Sequence, residues 1–173
     1  MTEKELIQGL RKSSTAAYKQ LFLGYFSIIR RFLLRMLGDD EQAKDIAQNI
    51  FLKVWLNRES LDESRSIKSY LYVLAKNEAL NHIKRNSRVT HLDGVTDASD
   101  DNGTQLTAEF NETSRIIRQR VENMPDRRRE VFRLSRMEHL SNKEISEMLN
   151  LSVRTVEKHI ELALKDIRKT IGS

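Results

Sequence analysis

The stretch that decides the fold is LSNKEISEMLNLSVRTVEKHIELALKDIR, residues 140–168. It holds two helical patterns separated by a very short break. Ser141 and Glu144 form a capping-box pattern that begins one helix, and Asn150 tolerates the left-handed conformation that ends it. Ser152 is placed to cap a second helix, whose apolar residues keep helical spacing: Val153, Val156, Ile160, Ala163, Leu164 and Ile167. The stretch therefore predicts helices over 142–149 and 153–171, joined as a helix-turn-helix.

The second helix of such a pair has the geometry to enter a DNA major groove with its first turns. Arg and Lys bind guanine acceptors or phosphates, Thr binds a phosphate or a thymine methyl, and Glu accepts from a cytosine amino group. A plain helical hairpin would show the same caps and period, but basic residues at 127–129, 133 and 136 favour DNA binding. The predicted DNA-binding residues are Ser152, Arg154, Thr155, Glu157, Lys158 and Glu161.

Composition limits the alternatives. The 173 residues include only 6 Gly and 1 Pro, which is typical of a helical protein. There is no cysteine, which excludes disulfides and thiolate metal sites and fits a cytoplasmic protein. Arginines interrupt the most apolar window, residues 26–37, so neither a membrane span nor a secretory signal is predicted. The four histidines are scattered, and no zinc-protease motif or glycine-rich phosphate loop is present, so we expect no enzyme, metal, cofactor or small-molecule substrate.

Charge divides the chain into three parts. Residues 1–88 carry a net charge of +6, residues 89–114 carry −6 with no Lys or Arg, and residues 115–173 carry +5. Basic domains attract polyanions. The middle part is rich in Thr, Asp, Asn and Gly and shows no sustained apolar period, which predicts a flexible linker. We therefore predict domains over 1–88 and 115–173.

Helical periodicity dominates both domains, and no strand pattern competes with it. The predicted fold class is all-α, with two small helical domains. The third helix exposes a polar side that includes Asp45, Gln48 and Asn49, and the fourth is expected to place Ile83 in the core. The remaining helices are predicted at about 2–12, 14–37, 40–57, 67–86, 114–123 and 126–137.

Residues 124–169 resemble region 4 of the extracytoplasmic-function (ECF) sigma factors, the small members of the sigma-70 family. The shared features are a proline that opens a helix, R-x-V-F-x-L at 129–134, L-S-x-x-E-I at 140–145 and S-x-x-T-V at 152–156. DDEQAKDIAQNIFLKVW (39–55) resembles region 2.2, and SIKSYLYVLAKNEALNHIKR (66–85) resembles regions 2.3 and 2.4. These motifs occur in the family's order across nearly the whole chain.

The resemblance implies a sigma factor that directs transcription initiation. Region 2 would dock on the β′ clamp helices of bacterial RNA polymerase through Asp45, Gln48 and Asn49. Region 4 would read the −35 element and touch the β flap, and an anti-sigma factor would restrain the protein. Region 2 would also open the −10 element and hold a flipped base, with a cationic track for the single strand. The residues implied there are Leu61, Asp62, Glu63, Ser64, Arg65, Ser66, Lys76, Asn77, Lys84, Arg85 and Arg88.

Two positions depart from the family pattern, since His139 and Asn150 stand where glycine is common. Both residue types are enriched in left-handed conformations, so we expect the turns to persist. Of Tyr70 and Tyr72, which could stack on bases, we expect at least one to be core. The alternative function is a response-regulator type of helix-turn-helix transcriptional regulator. That class needs a receiver or ligand-binding domain in front, where this sequence predicts helices.

Overall fold

The structure, a computed structural model, describes residues 1–89 and 108–171, with side chains described for 1–87 and 114–170. All regular elements in these ranges are helical. The chain divides into two compact units, residues 1–100 and 101–173. These observations confirm the predicted all-α, two-domain fold class.

The first unit is built around one long helix. Its elements are α1 (Glu3–Arg11), α2 (Thr15–Leu37), α3 (Asp40–Leu56), a short 3-10 turn (Arg58–Ser60) and α4 (Ile67–Val89). Helix α2 packs against α1, α3 and α4. The 3-10 turn lies against α1.

Local signals explain where the helices of the first unit begin and end. A capping box between Thr2 and Glu5 opens α1. Gly38 closes α2 in the left-handed conformation, with φ 70°, which a residue without a Cβ adopts at little cost. The next residue, Asp39, accepts the backbone N–H of Gln42 and caps α3. Gly38 and its neighbour therefore end one helix and start the next without an intervening loop.

In the first unit, burial follows the predicted apolar stripes with one exception. Tyr72 is fully buried and meets Phe32 edge-on, with ring centroids 5.0 Å apart, which confirms that one of the two tyrosines is core. Ile83, however, is 42% exposed, so its assignment to the core was wrong. Beyond Ala79, the last fully buried residue of α4, the described side chains are no longer enclosed. The main buried residues are Leu10, Leu21, Ile29, Leu33, Ala47, Ile50, Phe51, Val54, Ile67, Leu71 and Ala75.

The second unit contains α5 (Ala108–Glu122), α6 (Asp126–Arg136), α7 (Asn142–Leu149) and α8 (Val153–Ile171). Helix α8 contacts all three of the others and carries the buried Val156, Ala163 and Ile167. The stripe does not reach its first residue, because Val153 is 39% exposed. The other buried side chains of this unit include Val121, Met124, Val131, Leu134, Ile145 and Leu149, and Val121 and Met124 form one cluster with Ala163 and Ile167 of α8.

Two helix ends extend into the predicted linker. Helix α4 continues to Val89, and α5 begins at Ala108 and not at Ser114. An apolar period reports which face of a helix is buried, and it does not detect a helix whose stability comes from residues such as Ala and Glu with high helix propensity. The remainder of the predicted linker, residues 90–107, lies outside the described residues. Within the described residues, no helix has the length and apolar character needed to cross a membrane.

Candidate functional site

The tight turn between α7 and α8 has the geometry that the sequence predicts. Ser141 Oγ accepts the N–H of Glu144 at 3.2 Å, and the Glu144 carboxylate accepts the N–H of Ser141 at 2.8 Å. Asn150 ends α7 at φ 52° and ψ 49°, and His139 also has φ 52°. The capping box and both left-handed turns are therefore confirmed. Ser152 Oγ then accepts the N–H of Thr155 at 3.0 Å, which caps α8.

The first turns of α8 present one open face to solvent. It brings together all six predicted DNA-binding residues of the second unit, which we call the reading face: Ser152, Arg154, Thr155, Glu157, Lys158 and Glu161. Lys158 and Glu161 pair at 3.1 Å. Among the described residues, Arg154 and Glu157 have no hydrogen-bond or ion-pair partner, and both are exposed. The reading face therefore offers the Arg154 guanidinium as a free donor and the Glu157 carboxylate as a free acceptor, one helical turn apart.

Four of the five arginines of α6 are paired within the second unit. Arg127 donates to the backbone oxygen of Leu149 at 2.8 Å, and Arg128 pairs with Asp166 of α8 at 2.5 Å. Arg129 and Arg133 both pair with Glu122 at the end of α5. Together these four arginines form an arginine brace that ties α6 to α8, to α7 and to the end of α5. Of the basic set, only Arg136 is an exposed cation without a partner in the described residues.

His159 lies on the side of α8 that faces this arginine brace. Its ring nitrogen Nδ1 is buried without a hydrogen-bond partner in the described part of the chain. Partial burial, followed by the charges of Arg128 and Arg127, lowers the pKa of His159 below its usual value. The imidazole therefore favours its neutral form.

In the first unit, a pocket of about 160 Å³ lies between the 3-10 turn and the start of α4. Its lining includes four of the residues that the resemblance assigned to base capture: Leu61, Asp62, Arg65 and Ser66. We call residues 61–66 the capture loop. Tyr70, which the sequence analysis considered as a residue that could stack on bases, also lines the pocket, together with Ile7, Ser60 and Ile67, which it did not indicate. Tyr70 is half-buried beside the pocket, whereas Tyr72 is in the core.

Side chains at the mouth of the pocket differ in character. Asp62 accepts the N–H and the hydroxyl of Ser64 at 2.9 and 2.7 Å, and these bonds lower the pKa of Asp62. Arg65 is exposed, with its Nε 3.7 Å from Asp62. Glu63 does not face the pocket opening, because both of its carboxylate oxygens contact α1. The loop thus presents a carboxylate, a guanidinium and hydroxyls around an apolar floor.

The rest of the predicted strand track lies along α4. Asn77, Lys84 and Arg85 are exposed, and Lys76 is half-buried. The side chain of Arg88 lies outside the described residues. The exposed Ile83 and Leu80, the latter 48% exposed, lie among these cations. This end of α4 is therefore both basic and apolar.

The polar face of α3 is open, as the sequence predicted. Asp45, Gln48 and Asn49 are exposed and have no side-chain partner in the described parts of the chain. Helical spacing continues this face to Leu52 and Leu56, which are 51% and 66% exposed. The sequence analysis did not select these leucines, although apolar residues on the polar side of an amphipathic helix were the available signal.

Comparison with known proteins gives two family matches. The family described as "Sigma-70 region 2" matches residues 21–89, and the family described as "Sigma-70, region 4" matches residues 114–167. The first match contains α3 and the capture loop, and the second contains the helix-turn-helix. Together they cover well over half of the chain.

Individual relatives agree with these matches. The ECF RNA polymerase sigma factor SigW of Bacillus subtilis is 29% identical, over 99% of this chain and 97% of its own. SigM of the same organism is 27% identical, over 77% of this chain and 82% of its own. Among solved structures, CnrH in complex with the cytosolic domain of CnrY covers 98% of this chain and 97% of CnrH, with a TM-score of 0.64 at 18% identity. RpoE of Bartonella quintana, in complex with the anti-sigma factor NepR, covers 90% of this chain and 96% of RpoE, with a TM-score of 0.61 at 18% identity.

A region 2 and a region 4 in this order, on two helical units, define the sigma-70 class of transcription initiation factor. The chain belongs to the ECF sigma factors of that family. The alternative of a response-regulator type of regulator is not favoured, because a region 2 occupies the part of the chain where a receiver would be needed.

Proposed function

We propose that this sigma factor directs bacterial RNA polymerase to promoters through three separate surfaces: the reading face for the −35 element, the capture loop with the α4 track for the −10 element, and the polar face of α3 for the polymerase. The proposal is carried by one observation. Each of the two matched regions contains a preformed polar feature, a pocket in region 2 and an open helix face in region 4. The proposed domains are residues 1–88 and 115–173, joined by residues 89–114.

The reading face supports recognition of duplex DNA. Its residues lie in the first three turns of α8, the part of a recognition helix that meets base edges. Arg154 suits a guanine edge and Glu157 a cytosine amino group, whereas Lys158 suits a phosphate. Because Glu157 and Glu161 repel phosphates, the face favours a defined base sequence over general affinity for DNA. The braced second unit would in turn contact the β flap.

The capture loop supports melting of the −10 element. The pocket has room for one base-sized group and offers polar lining atoms above an apolar floor. A flipped base needs such a cavity to replace the stacking that it loses. The exposed Lys84 and Arg85 would bind the phosphates of the opened strand, and Leu80 and Ile83 would contact its bases.

The polar face of α3 supports docking on the β′ clamp helices. A helix side with three unpartnered polar residues and two exposed leucines has the mixed composition of a protein-binding surface. Asp45, Gln48 and Asn49 would supply hydrogen bonds and orientation. Leu52 and Leu56 would add the apolar area that gives such an interface much of its affinity.

An anti-sigma factor is proposed as a further partner. CnrH and RpoE were each solved in complex with a second protein, NepR being an anti-sigma factor. The exposed leucines of the first unit would be covered in such a complex. This partner would compete with the polymerase for the chain, and its absence would release the sigma factor.

The test is transcription in vitro. The full chain is mixed with bacterial core polymerase and a pool of templates with randomised upstream sequence, and the 5′ ends of the transcripts are sequenced. We expect defined start sites that share two upstream motifs. Tight binding to duplex DNA by the chain alone, without any specific transcript, would contradict the proposal and support a regulator.

Two sets of variants separate DNA reading from polymerase binding. Arg154→Ala should reduce use of the selected promoters about tenfold and relax the sequence preference at one position of the −35 motif, with unchanged affinity for the core. Its matched control is Arg168→Ala, which removes the same charge from the exposed end of the same helix. The double variant Asp45→Ala, Gln48→Ala should instead weaken core binding, and Glu59→Ala is its control. Equal loss of both activities in both variants would contradict the division of surfaces.

A further inference from the structure

Helix α1 precedes the residues matched to region 2, yet it is bound to the capture loop at several points. The match begins at residue 21, whereas α1 covers Glu3–Arg11. Ile7 of α1 is 1% exposed and lines the pocket. The wall of the pocket is therefore partly made by a helix that lies outside the matched residues.

The first polar contact holds the end of the capture loop. The Glu3 carboxylate accepts the backbone N–H of Ile67 at 2.7 Å and the hydroxyl of Ser66 at 3.0 Å. Ile67 is the first residue of α4, where free N–H groups and the helix dipole favour a negative charge. A residue more than sixty positions away in the chain thus caps the first N–H of α4, in addition to the local cap in which the Ser66 hydroxyl accepts the N–H of Ser69 at 3.4 Å.

The second polar contact holds the middle of the loop. Gln8 Nε2 donates to one carboxylate oxygen of Glu63 at 3.0 Å, and Arg11 Nη1 donates to the other at 3.3 Å. At the next turn, Arg58 Nε donates to Ser13 Oγ at 2.9 Å, which ties the 3-10 turn to the chain that follows α1. With both oxygens engaged, Glu63 is turned away from the pocket opening.

We propose that α1 is a positioning element for base capture, in which Glu3 and the Gln8–Glu63–Arg11 cluster hold the capture loop open in its base-binding shape. The inference rests on the proposed role of the pocket. A short loop that is ordered before binding does not lose its conformational freedom when the base enters, so the base binds more tightly. Glu63 is accordingly a positioning residue and does not contact DNA.

The experiment measures how holoenzyme binds the single non-template strand of a −10 element selected by transcription. An abasic nucleotide is placed at each position in turn, and the captured position is the one where the wild type loses most affinity. Glu63→Ala should bind the intact strand about threefold to tenfold more weakly. It should also lose most of the difference between the intact and the abasic strand, because a loop that is not held cannot use the base.

The controls distinguish positioning from general stability. Glu59→Ala removes a nearby exposed carboxylate and should keep the wild-type difference between strands. The exchanged pair Arg11→Glu, Glu63→Arg should restore that difference, while core affinity stays at the wild-type value in every variant.

Three results would overturn the inference. The first is a Glu63→Ala holoenzyme that discriminates the abasic strand as well as the wild type does. The second is an equal loss on both strands, which would indicate a direct contact with the DNA backbone. The third is a loss of core binding that the exchanged pair does not restore, which would indicate a purely structural role. A wild type that shows no base dependence at any position would instead overturn base capture itself, and this inference with it.

Discussion

The capture loop and the reading face are assembled in different ways. The reading face consists of six residues within ten positions of one helix, and local caps present it. The pocket at the capture loop is lined by residues from Ile7 to Tyr70, and side chains of α1 hold it. The first is a local structure that periodicity reveals, and the second is a tertiary structure that depends on how α1 and α2 pack.

This difference has a consequence for damage by mutation. A change that separates α1 from α2 should distort the capture loop and leave the reading face intact. A change at the α7–α8 turn should do the reverse. The single tryptophan, Trp55, lies in the first unit and therefore reports on that unit alone. Its ring lies 5.1 Å from that of Tyr18 and beneath Arg58.

The largest effect is expected from Gly9→Ala. A Cβ at Gly9 would lie 2.8 Å from the Cβ of Ala17, closer than two carbon atoms approach without displacement. Helix α1 must then move away from α2, and overpacking of this kind costs about 1–3 kcal/mol. Urea unfolding followed by Trp55 fluorescence should show this loss, with weaker binding of the −10 strand. An unchanged midpoint would show that α1 adjusts without strain.

The second prediction concerns Asn150, which holds the reading face at the correct angle. Asn150→Ala should destabilise the second unit by about 1 kcal/mol, because the left-handed conformation at φ 52° costs more free energy for alanine than for asparagine. Asn150→Gly is the matched variant and should be neutral or stabilising. Hydrogen exchange of the amides in α7 and α8 measures the effect, and the first unit serves as internal reference. Equal exchange in the Ala and Gly variants would contradict the argument.

The same contrast explains how much could be predicted from sequence. The helices, the capping box, the turns at His139 and Asn150 and the residues of the reading face follow from local chemistry. The contact of Ile7 with the pocket does not, because no pattern in one sequence pairs α1 with the start of α4. The sequence analysis counted the arginines of α6 as basic surroundings that favour DNA binding, because composition alone cannot distinguish a free cation from one paired with Asp166 or Glu122. Ile83 was misassigned because an apolar spacing does not show where the neighbouring helices end.

Gly24→Ala should have a smaller effect than Gly9→Ala, and it should stabilise the first unit. The pair therefore compares an added methyl group at a crowded position and at an open one. Gly24 lies in the interior of α2, and an added Cβ would meet nothing within 4 Å. Alanine is favoured over glycine in a helix by about 0.5–1 kcal/mol. The urea midpoint reported by Trp55 should therefore rise, with −10 strand binding unchanged. A lower urea midpoint would show that this exposed position contacts a partner or tolerates no side chain.

The smallest effect is a dependence of the second unit on pH through His159. Its pKa is lowered in the folded protein by partial burial and by Arg128 and Arg127, while Asp166 is already paired with Arg128. The unfolded chain binds a proton near the ordinary value of 6.5, and the folded chain does so only at lower pH. The contribution of the neutral His159 to the stability of the second unit is therefore complete above about pH 6.5, and it declines as the pH falls toward the folded-state pKa.

Hydrogen exchange of α8 between pH 7.5 and 5.5, corrected for intrinsic exchange rates, should show this decline in the wild type and a weaker one in His159→Gln. His82→Gln alters a histidine of the other unit and should leave the decline unchanged. A decline that persists in full without His159 would show that another group causes it.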